Sequence, residues 1–276
     1  MERNNKTWLE RSAWMLATTA LVIVACEKDF TLDNGPVQHD EQATSAAAVA
    51  SVPYDDASTI TDLAYQGAYD GKTYDALSCA TITIDTLTSM MHRVTVDFGT
   101  GCTDAAGNTR MGVIRTTYTV PRTQGGATTD IEFINYYYNQ IKIEGLYHQT
   151  YLGLNTANQP EWAVDIDGSA VYSPGDTLFY MSSRTRTWTN GFIPFDPSNI
   201  RFSITGTASG ERTGNPSWLA STVEPLIWKY NCPYIVDGTY ELSVVGLPNY
   251  QVDFGNGDCD NKAEVSDGNN TVIINL

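Results

Sequence analysis

The sequence predicts an all-β protein, either an antiparallel β-sandwich or a strongly curved β-meander, behind an N-terminal lipoprotein signal and a flexible tether. Three observations carry this prediction. From Leu77 onward, polar and apolar residues alternate with period two, as in Ala80-Thr81-Ile82-Thr83-Ile84-Asp85 and Val94-Thr95-Val96-Asp97-Phe98. Gly, Pro and Asn break the chain at short intervals, among them Gly125-Gly126, Pro174-Gly175 and Gly214 to Pro216. No helical pattern of a dozen residues lies between the strands, which argues against parallel crossovers.

The first element is the signal, residues 1–25. Arg3, Lys6 and Arg11 precede an apolar run from Ala13 to Ala25. The run is too short to span a bilayer and fits the apolar region of a secretory signal. It ends in Ile23-Val24-Ala25-Cys26, which resembles a bacterial lipobox. That resemblance implies cleavage before Cys26, acylation of its thiol and new amino group, and anchoring in the outer membrane on its periplasmic or cell-surface face. An ordinary signal peptide with an incidental Cys26 is the alternative.

Residues 26–55 are polar and Ala-rich, especially Ala43 to Ser51, and read as a tether that includes His39. About 30 flexible residues would reach roughly 30 Å. A short helix is expected over 56–68, with Asp56 as N-cap and Ile60, Leu63 and Ala64 on one face. Residues 56–276 then form the all-β domain. Beyond the two strands already quoted, strands are expected near 111–120, 128–135, 139–145, 162–167, 177–189, 199–207, 217–229, 234–244, 249–254 and 271–275.

One repeat is visible: Val96-Asp97-Phe98-Gly99-Thr100-Gly101-Cys102 recurs as Val252-Asp253-Phe254-Gly255-Asn256-Gly257-Asp258-Cys259. It marks two related Cys-containing halves, about 75–150 and 225–276. Each copy reads as a strand ending at Phe98 or Phe254, followed by a sharp bend at the glycines. With Cys26 acylated, four cysteines remain, which permits three pairings in an oxidising compartment. The repeat favours Cys79–Cys102 and Cys232–Cys259.

The segments Asp97 to Asp104, Gly107 to Gly112, Asn135-Tyr136-Tyr137, Ile141 to Gly145, Arg184 to Trp188, Ile204 to Gly210 and Asp253 to Ala263 resemble a family of Bacteroidota-type lipoproteins with repeated Asp-Phe-Gly-x-Gly-(x)-Cys motifs. So does Pro225-Leu226 with Cys232. The resemblance covers most of 75–276. It implies an all-β lipoprotein and brings no activity with it. Glu27-Lys28-Asp29 partly resembles the acidic export signal of such lipoproteins.

The formal net charge is −16, from 32 acidic residues against 16 Lys plus Arg. Nucleic-acid binding needs the opposite sign, so it is set aside. An acidic surface is also repelled by an anionic membrane, which leaves the lipid as the membrane anchor.

The candidate chemistry is thin. There is no Gly-x-Ser-x-Gly and no His-Glu-x-x-His, and His92 and His148 read as strand-surface or satisfied core residues. No motif points to a cofactor. A glycoside hydrolase would need two facing carboxyl groups. Glu132, Glu144, Asp165 and Asp167 are the candidates, the last two sharing one strand face. Asn256, Asp258, Asp260 and Asn261 crowd one bend, and Asp104 with Asn108 its counterpart. They are weak calcium candidates, because Asp and Asn favour turns on their own account. Tyr136, Tyr138, Trp162 and Trp188 are the candidate ligand-binding aromatics for a surface glycan. Thr86 and Thr177 follow Asp85 and Asp176 in motifs that resemble O-glycosylation sites. The sequence reading is thus a lipid-anchored envelope protein acting as a non-catalytic structural or interaction module. Glycan binding is the alternative, with an envelope protein or glycan as partner, and glycoside hydrolysis ranks below it.

Overall fold

The computed structural model describes residues 37–230 and 232–276; Cys26 and the signal lie outside the described residues. Two helices come first, α1 (Glu41–Val49) and α2 (Val52–Asp70). Fourteen strands follow: β1 (Thr81–Thr88), β2 (Met91–Asp97), β3 (Cys102–Thr103), β4 (Thr109–Thr119), β5 (Thr128–Tyr138), β6 (Ile141–Leu154), β7 (Pro160–Ser173), β8 (Asp176–Asn190), β9 (Arg201–Arg212), β10 (Trp218–Lys229), β11 (Ile235–Val244), β12 (Tyr250–Asn256), β13 (Lys262–Ser266) and β14 (Thr271–Asn275).

All fourteen belong to one antiparallel sheet. Neighbours in the sheet are neighbours in sequence, except that β2 and the two-residue β3 both pair with β4. Of the two expected architectures, the curved meander is the one observed. Short turns make it so. The β5–β6 hairpin turns on Asn139 and Gln140, both at positive φ (49° and 70°), a conformation that asparagine tolerates and that matches strand twist. Pro174-Gly175 closes β7–β8, with Gly175 at φ 85°. Strands β3 and β13 lie outside the expected set: β3 has only two residues, and the alternation of β13 spans five residues with Ala263 and Val265 as its only apolar side chains.

The sheet is open and curled, and its inner face packs on helices rather than on a second sheet. Helix α2 lies against β2, β4 and β5, and α1 against β9, β10 and β11. Inward residues such as Val94, Ile114, Ile131, Tyr147, Ile204 and Leu242 meet Tyr54, Ile60 and Leu63 of α2 in one core. Gly145 and Gly168 sit opposite each other on β6 and β7. A Cβ on Gly168 would come within 2.3 Å of the Tyr54 hydroxyl and 2.5 Å of the Glu144 carbonyl. The missing side chain lets Tyr54 rest on the sheet and donate to that carbonyl at 3.0 Å.

The helices correct the reading of the N-terminal region. Residues 41–49 and 52–55, expected within a tether, are helical, and Ala43, Ala46, Ala48, Val52 and Tyr54 are buried. Alanine is the strongest helix former and allows close packing, so the Ala-rich run docks instead of dangling. Asp40 caps α1 by accepting from the Ala43 N–H at 2.8 Å. His39 lies edge-on to Tyr250, 6.3 Å between centroids. Asp56 is not an N-cap: α2 starts four residues earlier, with Pro53 in its first turn, and ends at Gly71 with φ 72°.

The repeat reproduces the same local geometry twice. Asp97 accepts from the Gly99 N–H and Asp253 from the Gly255 N–H, both at 2.7 Å, while Phe98 and Phe254 are buried. Cys79 pairs with Cys102 and Cys232 with Cys259, at Cα separations of 5.9 and 5.8 Å. Among the described residues, no helix is long and apolar enough to cross a membrane.

Candidate functional site

Helix α2 carries a polar stripe at helical spacing (Asp55, Ser58, Thr59, Asp62, Gln66), and cationic side chains from the sheet meet much of it. Arg184 donates to both Asp55 carboxylate oxygens, at 3.1 and 3.0 Å. Two residues along β8, Arg186 donates to the Ser58 and Thr59 hydroxyls at 3.0 and 3.1 Å. Its guanidinium lies 3.4 Å from the Phe202 ring centroid. One position over on the helix, Asp56 receives Arg110 at 2.9 and 2.6 Å, and Arg110 also donates to Asp104 at 2.7 Å. Burial alone would raise the Asp104 carboxyl; Arg110 and Asn108 outweigh it and hold the group below the usual carboxylate range. Alternation places Arg184 and Arg186 on the same inward face, so both reach the helix.

The stripe runs out of the core into a cleft of about 310 Å³ beside the last turns of α2. Asp62, Tyr65 and Gln66 form its helical wall. Tyr151, Trp162 and Trp188, from the inner face of β6, β7 and β8, form its aromatic floor, and Phe192 and Phe195 enter from the β8–β9 connection. The rings form a chain: Tyr151 to Trp162 at 5.4 Å, Trp162 to Trp188 at 6.4 Å, and Trp188 to Phe192 and Phe195 at 6.1 Å each. Arg122 supplies the polar edge. It bonds Asp62 at 2.5 Å and stacks over Tyr65 and Tyr118 at 4.8 and 5.4 Å. Burial raises the Tyr118 hydroxyl pKa, and Arg122 only partly opposes this. The Trp188 indole N–H is committed to the Asn190 carbonyl at 2.7 Å. Chemically, this is a set of flat apolar faces beside a charged, hydrogen-bonding rim, the arrangement that small-molecule sites share.

Of the four aromatic candidates, the structure brings Trp162 and Trp188 together and removes the other two. Tyr136 is 0% and Tyr138 6% exposed; both face the core, because alternation sends this pair inward and Tyr137 outward. The Tyr138 hydroxyl donates to Asn108 at 3.0 Å. Phe192, Phe195 and Arg122 went unmarked in the sequence; they lie on connections, where period-two reading gives no signal.

The remaining candidates are scattered. Asp165 and Asp167 lie exposed on the outer, convex face of β7, side by side on one wall of an open groove of about 400 Å³. Glu132 faces Arg115 at 3.8 Å and Glu144 pairs with Lys142 at 2.5 Å. These placements do not form a facing pair across a cleft, which glycoside hydrolysis requires. His148 bonds Asp130 at 2.6 Å across β5 and β6, and the half-buried His92 leans on Tyr118 with centroids 5.9 Å apart. Asn256, Asp258 and Asp260 line a shallow depression, but Asp260 caps the Lys262 N–H at 3.1 Å. Among the described residues, no three His, Cys, Asp or Glu side chains are grouped to hold a metal. At the counterpart bend, Asp104 is taken by Arg110 and Asn108. Thr86 is exposed near the end of β1; Thr177 is half-buried at the start of β8, beside an Asp176 that Arg212 clamps with two bonds of 2.8 Å.

No family model, curated protein or solved structure matches the chain.

Proposed function

We propose that this protein is a non-catalytic binding module of the outer membrane, held by lipid on Cys26, and that its aromatic cleft takes a saccharide. The observation that supports this is the convergence of Tyr151, Trp162 and Trp188 beside Arg122 and Gln66 in one 310 Å³ cleft. Pyranose rings present flat C–H faces that stack on aromatic rings, and their hydroxyls need donors and acceptors at the rim. The −16 charge and the apolar run that ends at Cys26 favour a lipid rather than surface adsorption as the anchor.

The test has two arms. Purified protein is screened on a glycan array, and hits are titrated by tryptophan fluorescence with wild type and Trp162→Ala. Saturable binding that the substitution weakens supports the reading; an empty array, or hits indifferent to Trp162, overturns it. Separately, the intact mass of the native polypeptide should show residues 1–25 removed and fatty chains on Cys26. A chain that retains its first 25 residues refutes the anchor.

A further inference from the structure

The outer face of β6–β10 has an anomaly that the aromatic cleft does not explain. Solvated strand faces are normally polar, and much of this one is: Ser183, Thr207, Ser209 and Ser221 line it. Yet Leu146, Phe179, Met181 and Leu219 are 46%, 57%, 57% and 50% exposed there. The pairing register puts three of them in one row: Leu146 opposite Asp167, Asp167 opposite Met181, Met181 opposite Ser209, and Ser209 opposite Leu219. A parallel row runs His148, Asp165, Ser183, Thr207. These rows border the groove of about 400 Å³. Its two carboxylates, Asp165 and Asp167, form no ion pair among the described residues, and the nearby His148 is already bonded to Asp130.

We infer that this convex groove docks a cationic amphipathic helix from a partner protein. The row from Leu146 to Leu219 crosses four strand spacings, about 19 Å, the length of roughly 13 helical residues. An exposed apolar sheet face is ordinarily covered by a helix. Two uncompensated carboxylates, Asp167 within the apolar row and Asp165 in the row beside it, select a helix with Lys or Arg beside its leucine-like face. A membrane surface is the poorer occupant, since anionic lipid repels these acids.

A fluorescent helical peptide of about 14 residues, leucine on one face and lysine along its flanks, is titrated into the full chain and followed by anisotropy. The companion peptide replaces each lysine with glutamate. Expected is saturable binding of the lysine peptide that weakens with added salt and falls about tenfold or more in Met181→Ser/Leu219→Ser and in Asp165→Asn/Asp167→Asn. The replaced side chains are exposed, so each variant should keep the parent melting temperature. Trp162→Ala should bind the peptide normally, which separates this result from failure of the saccharide site. Equal binding of the glutamate peptide, indifference to both double substitutions, or binding to anionic vesicles instead of the peptide would overturn the inference.

Discussion

Asp55 tests the polar seam most sharply. Its carboxylate is fully buried and takes both hydrogen bonds from Arg184, whose side chain is only 7% exposed. Asp55→Asn keeps the shape and removes the charge, leaving a buried guanidinium uncompensated. Breaking one partner of such a pair costs roughly 3–5 kcal/mol, because the survivor bears its desolvation alone. In a domain of this size each kcal/mol moves the melting temperature by about 2–4 °C, so a fall of roughly 6–20 °C is expected. Replacing both partners with apolar residues, Asp55→Leu with Arg184→Met, should recover most of that loss, since no orphan charge remains. Urea denaturation followed by far-ultraviolet circular dichroism, run as a double-mutant cycle, measures both quantities. If Asp55→Asn falls within about 1 kcal/mol of the parent, the pair behaves as a solvated one and the argument fails. A double variant as unstable as the single one would show that the pair does more than balance charge.

Gly168→Ala should destabilise by about 1–3 kcal/mol or more, because its Cβ would meet the Tyr54 hydroxyl and the Glu144 carbonyl; a melting temperature equal to wild type would refute the close approach. Reducing the two disulfides, which close loops of 23 and 27 residues, should lower stability by about 3.5 kcal/mol each in the chain-entropy model; four reactive thiols before reduction would contradict the pairing. Burial raises the hydroxyls of Tyr136, Tyr147 and Tyr180. The folded state therefore prefers their neutral form: this stability is complete below the unfolded pKa of about 10 and is lost as pH rises above it. Tyrosinate absorbance should rise together with loss of circular dichroism; ionisation of all tyrosines in a still-folded chain would disprove their burial.

Most strands were legible because one face is buried and the other wet, which writes a period of two directly into the sequence; β1 alternates in the same way although all eight of its residues are exposed. All ten expected strands beyond the first two have counterparts, from 111–120 overlapping β4 to 271–275 in β14. What was hidden is what the sheet wraps around. Asp55, Asp56, Ser58, Thr59 and Thr61 make α2 look like a solvated helix, and polarity is read as exposure unless a partner is known. The partners are Arg110, Arg184, Arg186 and Thr116, 54 to 129 residues away. One trace was available: Arg184 and Arg186 recur at spacing two within an otherwise inward-facing register. The site was half legible for the same reason. Trp162 and Trp188 lie on strands, while Arg122, Phe192 and Phe195 lie on turns whose placement depends on the curl.

The buried polar seam gives a physical reason for the position of the cleft. Apolar contacts alone would let a helix slide along a curved sheet at little cost, since they are non-directional. Paired charges and hydroxyls at Asp55, Asp56, Ser58 and Thr59 are directional, and a one-residue slip would leave several buried donors unmet. They therefore fix where α2 stops relative to β7 and β8. Trp188 stands two residues beyond Arg186 on the same face, and Trp162 is paired across the ladder with Arg186 itself. The bonds that set the helix register thus also set how far the aromatic floor extends beside its last turns. The cleft is the stretch of the seam where Asp62 and Arg122 meet at the rim and the sheet offers rings instead of further arginines.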